Sequence, residues 1–309
     1  MKVAAVQASP VFLDSSATTE KVIALMGQVS KEGAELCAFP EAIVSGYPFW
    51  ISRIGSFKDE LAKRCYAAYI RSALEPTGPE LAAIKKKSAD LGLFVYLGFI
   101  EKAPSGGTVY CSLAAIHPER GIVGIHRKLK PTRAERMIWD EGDAHGLKTH
   151  EYKEFKVGGL LCFENWQPLL RHTLYAQGEH LHIMVWPGRR THAVDAARFV
   201  AQEGRVFVVS AHGTLNRGQL PDDFPLKHEL PDTAFDVMSG GSMIVDPTGK
   251  VLAGPVEEKE CVIYADVVLD RVLSERDRLD PAGHYARPDL FTLLVRDERS
   301  SSLRWAGRE

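Results

Sequence analysis

No apolar run in this 309-residue chain approaches the ~18 residues that a membrane-crossing helix requires. The N-terminus reaches Gln7 too soon to hold the apolar stretch of a secretory leader. Cysteine is scarce: five residues, an odd number with no C-x-x-C pair, argue against a disulfide framework and for a reducing compartment, the cytoplasm. Neither charge dominates. The 38 Lys plus Arg face 40 Asp plus Glu, a net charge of −2, which gives no electrostatic ground for nucleic acid or a membrane surface as partner. There is also no G-x-S-x-G turn, no P-loop and no G-x-G-x-x-G behind a strand. His150-Glu151 lacks a second His four residues after the first. His180 and His182 could share a strand face but have no third ligand beside them, so no metal is expected.

What is present reads as a soluble globular chain, 45% hydrophobic and 25% charged, long enough to bury a sizeable core. Short apolar runs alternate with helical periodicities, without a low-complexity linker or a short repeat. Strands are predicted at 3–8, 36–39, 93–100, 109–116, 122–126, 157–163, 182–186, 205–211, 242–246, 251–254 and 261–268. Helices are predicted at 17–32, 57–74, 79–91, 168–177 and 194–203, with Gly33 and the Pro76-Thr77-Gly78-Pro79 breaker as punctuation. The tail from Ser300 is polar and expected to be loose. The pattern predicts a single α/β domain over residues 1–309, with a sheet-rich core under helices. Periodicity leaves open whether the sheets form one layer or two.

Cys162 closes the strand at 157–163 where a helix is expected to begin, a placement whose positive end favours a thiolate. Equally, it reads as one more small buried hydrophobe, which is the better reading for Cys37, Cys65, Cys111 and Cys261. A thiolate needs a base and a stabilising charge. Glu41 follows the strand at 36–39 across Pro40, Lys128 follows the strand at 122–126, and Glu135 lies in the next loop. Each alone reads as a solvated loop charge. Together they put a carboxylate, an ammonium and a thiol at carboxyl ends of strands, where α/β sheets place their sites.

Three segments, Phe39-Pro40-Glu41-Ala42, His126-Arg127-Lys128-Leu129-Lys130-Pro131-Thr132 and Cys162-Phe163-Glu164-Asn165, resemble in order the three catalytic signatures of the nitrilase superfamily. Gly46-Tyr47-Pro48-Phe49-Trp50, Trp139-Asp140-Glu141-Gly142-Asp143, Gln167-Pro168-Leu169 and Gly283-His284-Tyr285-Ala286-Arg287-Pro288-Asp289 are similar to its true nitrilase branch. Phe163 departs from the Trp usual after the nucleophile, and Ala144 from a usual Gly.

The resemblance implies a four-layer α-β-β-α sandwich in which residues 283–309 form a C-terminal arm. It implies hydrolysis of a small organic nitrile to acid and ammonia with no cofactor. Cys162 would be the nucleophile, Glu41 the base, Lys128 the stabilising charge and Glu135 the glutamate that orients Lys128 or the substrate nitrogen. The backbone N–H of Phe163 would serve as oxyanion donor, with Tyr47 and Trp186 as pocket candidates. A homo-oligomer, dimer or higher, is implied as well. Alternatives on the same site are amide hydrolysis, hydration of a nitrile or cyanide to the amide level, and, more distantly, a non-catalytic binding subunit. Among nitriles, the resemblance points to arylacetonitriles and aliphatic nitriles.

Overall fold

The computed structural model describes residues 1–53, 60–188, 190–227 and 234–299. In chain order the strands are β1 (Lys2–Gln7), β2 (Leu36–Ala38), β3 (Phe94–Lys102), β4 (Val109–His117), β5 (Gly121–Arg127), β6 (His150–Tyr152), β7 (Phe155–Leu161), β8 (Leu181–Trp186), β9 (Phe207–His212), β10 (Thr214–Asn216), β11 (Ala234–Val245), β12 (Val251–Glu257) and β13 (Cys261–Asp266). The helices are α1 (Ser15–Lys31), α2 (Glu60–Ser72), α3 (Pro79–Leu91), α4 (Pro168–Ala176), α5 (Arg190–Gly204) and α6 (Leu269–Glu275).

The strands form two sheets. One runs β13-β1-β2-β3-β4-β5; the other runs β10-β11-β9-β8-β7-β6, with β12 paired to β11. Each is built on three parallel strands, β1-β2-β3 and β7-β8-β9, flanked by antiparallel partners. Buried parallel strands carry apolar residues on both faces, and β1 shows how they divide. Val3 and Ala5 point into the space between the sheets, where β1 meets β9 and β4 meets β7. Ala4 and Val6 point outward onto Val22, Met26 and Val29 of α1 and Leu81 and Ile84 of α3. On the other side, Met184, Val208 and Val245 pack beneath Ala196, Ala197 and Val200 of α5. The order is therefore α-β-β-α, a four-layer sandwich.

Topology decides where the site can be. β4 is antiparallel to β3 and β5 is antiparallel to β4, so β5 runs in the direction of β2. The carboxyl ends of β2 and β5 therefore open on the same end of their sheet.

Most predicted elements are present with ends shifted by a few residues, and the helix at 79–91 coincides with α3. Three differences have physical causes. β7 stops at Leu161 rather than running to 163, because Cys162 turns into the left-handed region at φ 49°. β6 and β10 are three residues each, too short to show a period, and β11 is a twelve-residue strand whose Gly240 and Gly241 hid its first half. The predicted helix start at 57 and the tail from Ser300 lie outside the described residues. Among the described residues no helix is long and apolar enough to cross a membrane.

Candidate active site

Glu41 sits three residues past the end of β2. The chain there must cross β3 closely, and it does so over Gly98, where any Cβ would run into the Pro40 carbonyl and the Glu41 backbone. The crossing turns Glu41 inward, leaving it 1% exposed.

Lys128 is the first residue past β5, pinned by its own N–H to the Cys111 carbonyl (2.8 Å). Its ammonium, also buried, donates to Glu41 Oε1 and Glu135 Oε2, both at 2.8 Å. It lies 5.1 Å from the centre of the Trp139 ring, a cation–π contact. Glu135 is fixed in turn: Oε2 accepts the Thr132 N–H, and Oε1 accepts the Tyr47 hydroxyl at 2.9 Å. The carboxylates of Glu41 and Glu135 thus bracket one cation.

Cys162 opens a short 3-10 turn, Cys162–Trp166, in a conformation that costs a non-glycine residue about 1–2 kcal/mol. Glu164 and Asn165 hold that turn. Glu164 accepts the N–H groups of Leu161 (3.0 Å) and Leu129 (2.8 Å), tying the residue before the thiol to the residue after Lys128. Asn165 Nδ2 donates to the carbonyls of Leu160 and Cys162. The sulfur of Cys162 and one carboxylate oxygen each from Glu41 and Glu135 all lie within 4.8 Å of one another. A divalent cation could use such a trio, but the Lys128 ammonium already stands between its two carboxylates.

Burial raises the Glu41 carboxyl to about 7; Lys128 opposes the shift and Glu135 adds to it. Burial also pushes the Cys162 thiol up, against the pull of Lys128 and of a hydrogen bond from the Phe163 N–H. The predicted helix end that would favour a thiolate is in fact a five-residue 3-10 turn, and desolvation outweighs it. For Lys128, burial alone would lower the ammonium, but Glu41 and Glu135 together hold it above its ordinary value. Burial thus favours the thiol over the thiolate, the two carboxylates favour the ammonium, and the Glu41 carboxyl stands at about 7.

Above the thiol lies a cavity of about 520 Å³ whose walls include Tyr47, Phe49, Ile51, Phe163 and Trp186, with Glu135 and Cys162 also lining it. Phe163 and Trp186 meet edge to face, 6.0 Å between centres. Glu41, Lys128, Glu135, Cys162, Phe163, Tyr47 and Trp186 are therefore gathered at one place.

The family model described as carbon-nitrogen hydrolase matches residues 2–276. The chain belongs to the carbon-nitrogen hydrolase family. A nitrilase of Bradyrhizobium diazoefficiens is 38% identical over 300 residues, covering 96% of this chain and 92% of that protein. A bifunctional nitrilase/nitrile hydratase of Nicotiana tabacum is 35% identical over 315 residues, covering 96% and 86%. Among solved structures, a CN-hydrolase superfamily protein of Xanthomonas campestris superposes with a TM-score of 0.72 at 19% identity, over 95% of this chain and 98% of that one. The four-layer sandwich of this carbon-nitrogen hydrolase is thus the fold of the superfamily.

Sequence reasoning missed several residues of the carbon-nitrogen hydrolase site. Cys111, read as a plain core residue, donates its thiol to Glu41 Oε1 at 3.4 Å. Tyr69 braces Trp139 by accepting its indole N–H (3.0 Å). His180 and His182 do not share a ligand: His180 accepts the Lys156 N–H, while His182 is buried between Glu179 and Asn165. Only the side-by-side pairing of β4 and β5 could have flagged Cys111, through its place beside the strand that leads into Lys128.

Proposed function

We propose that this enzyme hydrolyses a small organic nitrile to the carboxylic acid and ammonia, RCN + 2 H₂O → RCOOH + NH₃, using its own side chains throughout. The observation that carries this reading is Glu41 Oε2. It is buried and has no hydrogen-bond partner, while Oε1 is occupied by Lys128 and Cys111. A buried, unsatisfied carboxylate oxygen near a neutral thiol is a proton acceptor in waiting.

Cys162 Sγ attacks the nitrile carbon as its proton passes to Glu41. The nitrogen, gaining negative character beside Lys128, takes that proton to give the thioimidate. Glu41 then draws a proton from water as the oxygen bonds to the same carbon, and the Phe163 N–H and Lys128 stabilise the tetrahedral species. Glu41 hands that proton to the nitrogen and relays the hydroxyl proton after it; the C–N bond breaks, ammonia leaves and a thioester remains. A second water, activated the same way, breaks the C–S bond to release the acid and restore the thiol. Glu135, fixed by Tyr47 and Thr132, keeps Lys128 at one point throughout.

The apolar walls at Phe49, Ile51, Phe163 and Trp186 suit an aryl, arylalkyl or alkyl group. The name of the tobacco relative supports a second outcome on the same site, in which the tetrahedral species expels thiolate instead of ammonia and leaves an amide. We place the protein in the cytoplasm, because all five cysteines are free and four are buried. We also assign it a homo-oligomer, one domain per chain. Past α6 the arm leaves Phe291 79% and Leu294 87% exposed, apolar surface that a second subunit would cover.

The test is product analysis with arylacetonitrile, aliphatic, aromatic and cyanide substrates. The wild type should release acid and ammonia in equal amounts, and folded Cys162→Ala should release neither. Turnover by Cys162→Ala, or activity lost to a chelator and restored by zinc, would overturn the reading.

A further inference from the structure

Against the Cys162 turn, and outside the lining of the cavity, lies a chain of three polar side chains, none of them exposed to solvent. Glu179 Oε1 is 2.9 Å from His182 Nδ1, His182 Nε2 is 2.8 Å from Asn165 Oδ1, and Asn165 Nδ2 is 2.9 Å from the Cys162 carbonyl oxygen. The polarity of this chain is fixed from its far end. Asn165 must present its NH₂ to the carbonyls of Leu160 and Cys162, so Oδ1 faces His182 and Nε2 must carry a hydrogen. One proton then lies between Nδ1 and the Glu179 carboxylate. Gly158 of β7 makes room for that carboxylate, since any Cβ there would overlap Glu179 Oε1. Burying an acid, an imidazole and an amide is costly, and the hydrogen bonds along the row offset that cost only while all three keep their order.

We infer that Glu179, His182 and Asn165 are positioning residues that aim the Phe163 N–H at the reacting centre. The carbonyl of Cys162 and the N–H of Phe163 belong to one planar trans peptide and point in opposite directions. Holding the carbonyl back against Asn165 Nδ2 turns the N–H forward, where it meets the Cys162 sulfur. The left-handed φ of 49° at Cys162 is a strained setting that the turn must be made to keep. Arg171 Nη1 adds a brace by donating to the Asn165 carbonyl at 3.0 Å. With the relay broken, the peptide plane is free to rotate and the donor leaves its place, although thiol, base and ammonium are untouched.

This inference rests on the reading of Cys162 as nucleophile, and the experiment separates the two. Glutamine extends a donor to about the position of an imidazole Nε2, whereas asparagine reaches only as far as Nδ1. His182→Gln should therefore keep the link to Asn165 and His182→Asn should lose it. For each variant, kcat and KM on a nitrile are measured beside the dissociation constant of the corresponding aldehyde. The aldehyde adds to Cys162 as a thiohemiacetal bearing the oxyanion, and the melting temperature is recorded alongside. His182→Asn should lose ~10²–10³ in kcat, the usual cost of a displaced oxyanion donor, and a matching factor in aldehyde affinity, with KM little changed. His182→Gln should stay within about tenfold of wild type, the worth of one neutral hydrogen bond. If His182→Asn does not fold, Asn165→Leu, of similar shape, carries the same expectation. Equal behaviour of the Gln and Asn variants overturns the relay, as does a loss of kcat without a loss of aldehyde affinity. Turnover by Cys162→Ala, run alongside, would instead overturn the nucleophile assignment.

Discussion

Glu41 and Glu164 are both buried carboxylates at the ends of core strands, and their surroundings drive them in opposite directions. At Glu164, burial would raise the carboxyl, but His126 (Nε2 to Oε2, 3.0 Å) and the N–H groups of Leu129 and Leu161 hold it below its ordinary value. At Glu41 burial wins, the carboxyl rises to about 7, and Oε2 is left without a partner. A carboxylate given every hydrogen bond it can take is a strut, since it has no lone pair left to use and no reason to accept a proton. One left short beside a thiol is a base; Glu179 Oε2 is buried without a partner too, but that carboxylate pairs with His182 rather than standing beside Cys162. The difference lies in how many donors face each group, not in burial.

Removing the base should have the larger effect. Glu41→Gln keeps shape and a hydrogen-bonding oxygen but cannot take the thiol proton, and kcat/KM on a good nitrile should fall by ~10²–10⁴. A loss under tenfold would mean that Glu41 is a second strut. Lys128 sharpens the comparison, because it touches Glu41 and not Glu164. Lys128→Arg keeps the charge but spreads it over a planar fork that cannot fill the same point between two carboxylates, at an expected cost of ~10²–10³ in rate. Lys86, exposed on α3 and paired with Asp90 four residues on, is the control, and Lys86→Arg should be near neutral. Equal rates for the two variants would make Lys128 an ordinary lysine.

Glu164→Gln should do less to the chemistry and more to the fold. Each carboxylate oxygen now accepts one backbone N–H, and the amide puts an NH₂ in place of one of them, leaving a buried donor unsatisfied at about 1–3 kcal/mol. The expected result is a lowered melting temperature with a rate loss of about tenfold. Loss of rate comparable to Glu41→Gln at unchanged stability would erase the distinction between strut and base.

The sequence carried the three strand-end residues because their flanks are local: an apolar run, then a breaker or a charge, as at Phe39-Pro40-Glu41. The elements themselves were legible for the same reason, and α3, with Pro79 at its start and left-handed Gly92 after its end, is the clearest case. What could not be read depends on contacts far apart in the chain. Gly98 looked like any strand glycine, and only the crossing of the Glu41 loop above it gives it meaning. Cys111 and Cys162 both follow apolar runs in the sequence; one donates to Glu41 from a core strand, whereas the other sits past a strand end in a left-handed turn. His182 shows the same limit, since its position beside His180 suggested a shared face while its partners, Glu179 and Asn165, come from before β8 and after β7.

The pH dependence of kcat/KM in the wild type tests the central claim most directly, because it reports the essential groups of the free enzyme. Glu41 must be ionised to accept the thiol proton, and its carboxyl is raised to about 7. Activity should therefore fall as pH drops through neutrality, in one step that reports the Glu41 carboxyl. Melting measured at the same pH values separates loss of the base from loss of the fold. An acid limb near 7 with unchanged melting is the predicted result. A profile that stays flat down to the ordinary carboxylate range, near 4 to 5, would contradict it, and Glu41 would then be no more a base than Glu164.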